Sequence, residues 1–162
     1  MTTVEVRLRR GPRGPVPPML IYSAGLAAGW WIDTIRRFPI DGAGAGVVQI
    51  VLGIVALITG TVVFFWGLLT FARERTGIML QQDASHVVQS GPYRFSRNPM
   101  YVGSAVGYTG LALLFNLAWP MVLLPVVLIV LTLTVILREE RYMHTRFGPA
   151  YETYCARVPR WL

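Results

Sequence analysis

Residues 99–137, "PMYVGSAVGYTGLALLFNLAWPMVLLPVVLIVLTLTVIL", are almost uninterruptedly apolar and carry no charged side chain. About 20 such residues, at about 1.5 Å of rise each, cross the hydrocarbon core of a bilayer, so the run is about twice what one crossing needs. Asn116 and the pair Trp119-Pro120 interrupt it. Proline suits a first helical turn and disrupts a helix interior. The run therefore reads as a hairpin of two spans, 99–115 and 120–137.

Working outward, a second long apolar run covers 43–72 and a shorter one 18–35. With 54% hydrophobic and 14% charged residues among 162, the chain is too apolar for an ordinary water-soluble domain. The expected fold is all-α and integral to a membrane, with four transmembrane helices and a cytoplasmic helical tail at the C-terminus. Residues 1–17 read as a basic mobile tail and 18–162 as a single transmembrane domain. Trp30, Trp31 and Asp33 stand where a signal peptide would need small residues, so the first span is expected to be retained.

The net charge of +7 comes from arginine, since the chain has no lysine. Arginines gather before the first span, between the second and third, and after the fourth, whereas the other two loops carry Arg36 and Arg37 alone. The positive-inside rule then places both termini in the cytoplasm. Because these arginines flank apolar runs instead of forming a stripe with aromatics, nucleic-acid binding is not expected. Cys155 has no second cysteine to pair with, and His86 and His144 lack ligand spacing, so no metal is expected.

Gly46, Gly53, Gly60 and Gly67 recur at every seventh position of the second span, close to one helical face. Gly25 and Gly29 in the first span and Gly103 and Gly107 in the third form GxxxG pairs that allow close helix approach in lipid. The glycine run at 42–46 is not read as a nucleotide loop, because no strand precedes it.

Two polar segments adjoin the spans. In "GPYRFSRNPMYVG", 91–103, Asn98 is a good helix cap and Pro99 a good first residue. The amides of Met100 and Tyr101 are expected to face outward there, with Arg94 and Arg97 nearby, an arrangement that favours an anionic group. The same residues also suit an interfacial anchor with no ligand. In "REERYMHTRFGPAYETYCARVPRW", 138–161, a helix is expected to run to Phe147 and break at Gly148-Pro149. A short helix with Tyr151 and Tyr154 then folds back over the bundle. Successive helical residues diverge by about 100°, so Glu139 and Glu140 cannot face one pocket, and the outward one is expected to pair with Arg141 or Arg138.

Taken in order, "SHVVQSGPYRFSRNPMYVG" and "REERYMHTRFGPAYETYCARVP" resemble the isoprenylcysteine carboxyl methyltransferase family and its membrane relatives, including phospholipid N-methyltransferases. The likeness covers about residues 81–160, with cofactor-site segments at 81–101 and 138–160. It implies an S-adenosylmethionine-dependent methyltransferase of the bacterial inner membrane whose acceptor is lipid-like or small and hydrophobic. By the same resemblance His86, Val87, Val88, Tyr93, Arg97, Asn98, Pro99, Met100, Tyr101 and Glu139 bind the cofactor.

The residue chemistry is compatible: a helix start suits the cofactor's carboxylate, Glu139 its ammonium or ribose, and tyrosine faces its cation or base. Asn98 stands where the family often has histidine. Val135 stands where members acting on prenylcysteine carboxylates have an arginine, so a thiol, an amine or another lipid-like acceptor is expected before that one. The competing readings are a membrane reductase using NADPH, suggested by the terminal tyrosine, cysteine and "VP", and a non-catalytic scaffold.

Overall fold

The computed structural model describes residues 16–42, 45–74 and 87–162, and every regular element among them is helical. Helix α1 is Pro18–Ile35 and α2 is Val47–Arg73. A 3-10 turn, Gly91–Arg94, precedes α3, Pro99–Leu114. Helix α4, Ala118–Leu131, continues through a π-turn, Thr132–Ile136, into α5, Leu137–Phe147, and α6 is Pro149–Arg157. Prolines occupy the first turn of α1, α3 and α6, where no intrahelical donor is lost. Gly148 separates α5 from α6 with φ 48°, a backbone conformation that side chains with a Cβ rarely adopt.

Two helices have the length and composition to cross a membrane: α2, with mean hydropathy 2.5, and the continuous rod Ala118–Phe147, with 2.8. Neither is a buried core helix of a water-soluble domain. Val47, Val55, Val62 and Phe65 on α2, and Val122, Val126, Ile129 and Leu133 on the rod, are all exposed. An apolar surface of that extent matches lipid as its solvent.

The glycines decide how the helices meet. Helix α2 packs mainly on α3, and α1 on α4. A Cβ at Gly60 would run into the backbone of Gly107 and of Gly103, and one at Gly103 would come 2.7 Å from the Gly60 carbonyl oxygen. Gly53 meets Leu114 and Gly110, and Gly67 meets Met100. On the other side Gly25 abuts Val127, and Gly29 lies against the backbone of Pro120. The small-residue face of α2 thus holds three of the four heptad glycines. Gly46 is the N-cap and lies outside the helix, which starts at Val47 and not at 43.

Between α1, α3 and the rod lies a core of Tyr22, Tyr108, Val127, Leu131, Val135 and Ile136. At the end of α3 away from the 3-10 turn, Asn116 adopts φ 53° and binds the α1–α2 connection. Its Oδ1 accepts from the Ile40 and Asp41 amides, and its Nδ2 donates to the Asp41 carbonyl. The π-turn leads directly to the acidic residues of α5. There the Leu137 amide donates to the Thr132 carbonyl, five residues back, so the turn holds one residue more than a regular one.

Candidate functional site

The start of α3 and the start of α5 come together. The Tyr101 hydroxyl donates to Glu139 Oε1 at 3.0 Å, and the Tyr22 hydroxyl of α1 donates to the Tyr101 carbonyl at 2.8 Å. Glu140, one residue on, is buried and turns elsewhere. Arg160 grips it with Nε–Oε1 at 2.9 Å and Nη2–Oε2 at 2.7 Å, while Arg97 Nη1 stands 3.1 Å from Oε1. The expected divergence of the two acids is present, but the outward partner is not Arg141 or Arg138. Those lie on the same helix as Glu140, whereas Arg160 and Arg97 approach from the tail and from the turn before α3.

The tail after α6 is tied to that turn by its backbone. The Arg97 amide donates to the Pro159 carbonyl at 3.0 Å, and Ser96 Oγ and Asn98 Nδ2 both donate to the Arg160 carbonyl. Asn98 therefore does not cap α3 with its side chain, although it occupies the N-cap position. Its carbonyl accepts from the Tyr101 amide, so that amide is paired and not outward-facing as the sequence suggested. Below the 3-10 turn, the Tyr154 hydroxyl donates to the Tyr93 carbonyl at 2.8 Å. Arg97 Nη1 also donates to Cys155 Sγ.

Among the expected site residues, Val88, Tyr93 and Pro99 are buried, and Val87 packs on the cluster of Tyr151, Tyr154 and Val158. The Met100 side chain enters the α2–α3 seam at Gly67, so what it presents to the turn is backbone. His86 lies outside the described residues. Sequence reasoning had not singled out Glu140, Arg160, Cys155 or Tyr154 as partners of these groups. The terminal "RVPR" was the available signal for Arg160.

Among the described residues, two buried polar atoms here have no hydrogen-bond partner, the Tyr93 hydroxyl and Arg97 Nε. Unpaired buried polar groups are uncommon in folded proteins, and a bound water, ion or ligand is among the things that satisfy them. Burial, with smaller contributions from Tyr154 and Glu139, pushes the Tyr93 phenol well above its ordinary range. Glu139 lies beyond Leu137, at the start of the charged stretch of α5. Burial raises its carboxyl to about 7; the Tyr101 hydrogen bond opposes the rise and the nearby Glu140 adds to it. The region thus holds a carboxyl raised by burial, a phenol near it that has no partner among the described residues, and, on the Glu140 side, the Arg97 guanidinium. That set can meet a cation and a carboxylate at once.

A family model for phospholipid methyltransferases matches residues 48–150, well over half of the chain. The chain belongs to the phospholipid methyltransferase family. The chain is accordingly a membrane methyltransferase, in keeping with its two lipid-compatible helices and all-helical described region. The match includes the Tyr101–Glu139 contact and Glu140 but ends before Tyr154 and Arg160, so the tail's part in the site rests on geometry alone. No curated protein sequence matches it.

Proposed function

We propose that the protein transfers the methyl group of S-adenosylmethionine to a lipid-like or small hydrophobic acceptor, in a pocket formed where the turn before α3 meets α5 and the tail. The reading includes four crossings, at 18–35, α2, α3 and 120–137, with both termini and the pocket at the cytoplasmic face of a bacterial inner membrane. Residues 18–162 act as one domain behind the basic stretch 1–17. The observation that carries it is the buried Tyr93 hydroxyl, without a hydrogen-bond partner among the described residues, near enough to Glu139 for the two to interact electrostatically beside the Tyr101–Glu139 bond.

The residues present fit the cofactor's groups. Glu139, ionised, balances its positive charge, and Arg97 Nε offers a donor to its carboxylate. Tyr93 presents a phenol and a ring face, while Asn98, Pro99, Met100 and Tyr101 form the helix start that closes the pocket. Val87 and Val88 supply the apolar wall expected for the base. When bound, the cofactor supplies an activated methyl, and the chain's residues align the acceptor with it and exclude water. Glu139 can also hold a proton at its carboxyl, a role suited to its raised ionisation range. Val135 is buried in the core beside this site, so no arginine meets the acceptor there, which supports a thiol, an amine or a neutral lipid-like group over a prenylcysteine carboxylate.

Calorimetry of the purified protein with S-adenosylmethionine and with NADPH tests the cofactor. Binding of the first and not the second is expected; the reverse, or neither, removes the reading. Incubation with methyl-labelled cofactor and a membrane lipid extract, followed by mass spectrometry of the labelled product, then identifies the acceptor.

A further inference from the structure

A cleft of about 260 Å³ is lined by Gln89, Arg94, Tyr154, Arg157 and Val158. None of Tyr93, Arg97, Tyr101 or Glu139 lines it, and among the described residues no carboxylate does. Its floor is the buried pair Tyr154 and Val158, fixed by the bond from Tyr154 to the Tyr93 carbonyl. Its walls are two exposed arginines from separate elements, one on the 3-10 turn and one at the end of α6. Arg157 is oriented: Nη2 donates to Gln89 Oε1 at 2.9 Å and Nε points to the Thr153 carbonyl at 3.4 Å. No hydrogen bond or ion pair holds Arg94 among the described residues.

We propose that this cleft is a second binding site, for the phosphate of a membrane-lipid headgroup. Two guanidinium forks lining one cleft, with no acid beside them among the described residues, are matched by an anion that offers oxygens in several directions. Phosphate does so, whereas a carboxylate has one planar pair. The headgroup, and not free phosphate, is its source because of what surrounds Arg94. Phe95, next in the chain, is 64% exposed, and the apolar helix α3 begins at Pro99. This puts the cleft at headgroup depth, where arginine and aromatic side chains concentrate and anionic lipid draws basic groups. The depth follows from the four-crossing reading, while the phosphate chemistry follows from the cleft itself.

The test uses the full chain in detergent micelles and native mass spectrometry with three probes: phosphatidylglycerol, diacylglycerol and inorganic phosphate. Phosphatidylglycerol is expected to be retained about tenfold better than diacylglycerol, and that advantage to disappear in Arg94→Gln/Arg157→Gln while surviving in Arg141→Gln/Arg146→Gln, which removes the same charge elsewhere. Circular dichroism checks that helix content is kept; if the double variant loses it, the two single variants are read by the same criterion. Equal retention of phosphatidylglycerol by wild type and the Arg94/Arg157 variants overturns the site. Retention of inorganic phosphate without a preference for phosphatidylglycerol over diacylglycerol overturns the lipid source.

Discussion

Glu139 and Glu140 are neighbours in the chain, yet the first accepts a hydrogen bond from Tyr101 and the second lies between Arg97 and Arg160. The pair divides two tasks. One carboxyl lies by Tyr101 and Tyr93, and the other fastens the tail to the turn before α3.

The fastening carboxyl makes a stability prediction. The Glu140 side chain is 11% exposed, and removing it leaves two arginines facing each other without a counter-charge. Glu140→Ala is expected to destabilise the protein by about 3 kcal/mol, the scale for breaking a buried ion pair from one side. Arg160→Ala should cost less, because the Arg160 side chain is 37% exposed and partly screened. Denaturant unfolding in micelles measures both, and an order of effects with Arg160 above Glu140 would contradict the geometry.

Tyr93 gives an opposite signature. Its hydroxyl is buried and has no partner among the described residues, so Tyr93→Phe removes a desolvated group without breaking a hydrogen bond to any of them. Stability is expected to be unchanged or raised by about 1 kcal/mol. Affinity for S-adenosylmethionine should nevertheless fall about tenfold, read by calorimetry. Lost stability with intact affinity would assign the hydroxyl to the scaffold.

The Glu139 carboxyl sets a pH dependence. Its folded value, about 7, lies above the ordinary 4.5. The sign for stability is that of a raised group: its contribution is fully present below about 4.5 and is lost as pH rises through about 7. For a cationic cofactor the sign reverses, since binding favours the ionised form. Affinity should climb as pH rises to about 7 and level off above it, with proton release detectable in buffers of different ionisation enthalpy. Glu139→Gln should flatten the profile and weaken binding while leaving helix content unchanged.

The α2–α3 seam predicts unequal tolerance for two glycines one helical turn apart. A Cβ at Gly103 meets the Gly60 carbonyl and the Phe64 amide at 2.7 Å, and backbone cannot yield as a side chain can. A Cβ at Gly107 meets only Leu57 Cδ1 at 4.0 Å. Gly103→Ala should cost about 2 kcal/mol through overpacking, and Gly107→Ala close to nothing, by thermal unfolding.

Local patterns in the sequence located much of this. Proline at first helical positions marked the starts of α1 and α3 correctly, and Gly148-Pro149 marked the break before α6. The 100° step between neighbours separated Glu139 from Glu140. What stayed hidden depends on groups far apart in the chain: Arg160 is 20 positions from Glu140 and 62 from Asn98, to whose side chain it offers a carbonyl. Asn98 looked like a cap because it precedes Pro99, but its Nδ2 donates to that tail carbonyl and its Oδ1 makes no capping bond to α3. Gly46 fits the heptad by number and misses the seam because α2 has not yet begun there.

The wide turn at Thr132–Ile136 fixes more than a bend. Each residue beyond it sits one step behind the phase of an unbroken α-helix, a rotation of about 100°. In a regular ladder through the same stretch, Arg138 would occupy the direction now held by Glu139, and Glu139 would meet the arginines. The sign of the charge presented to Tyr101 is thus decided by which amide the Thr132 oxygen accepts.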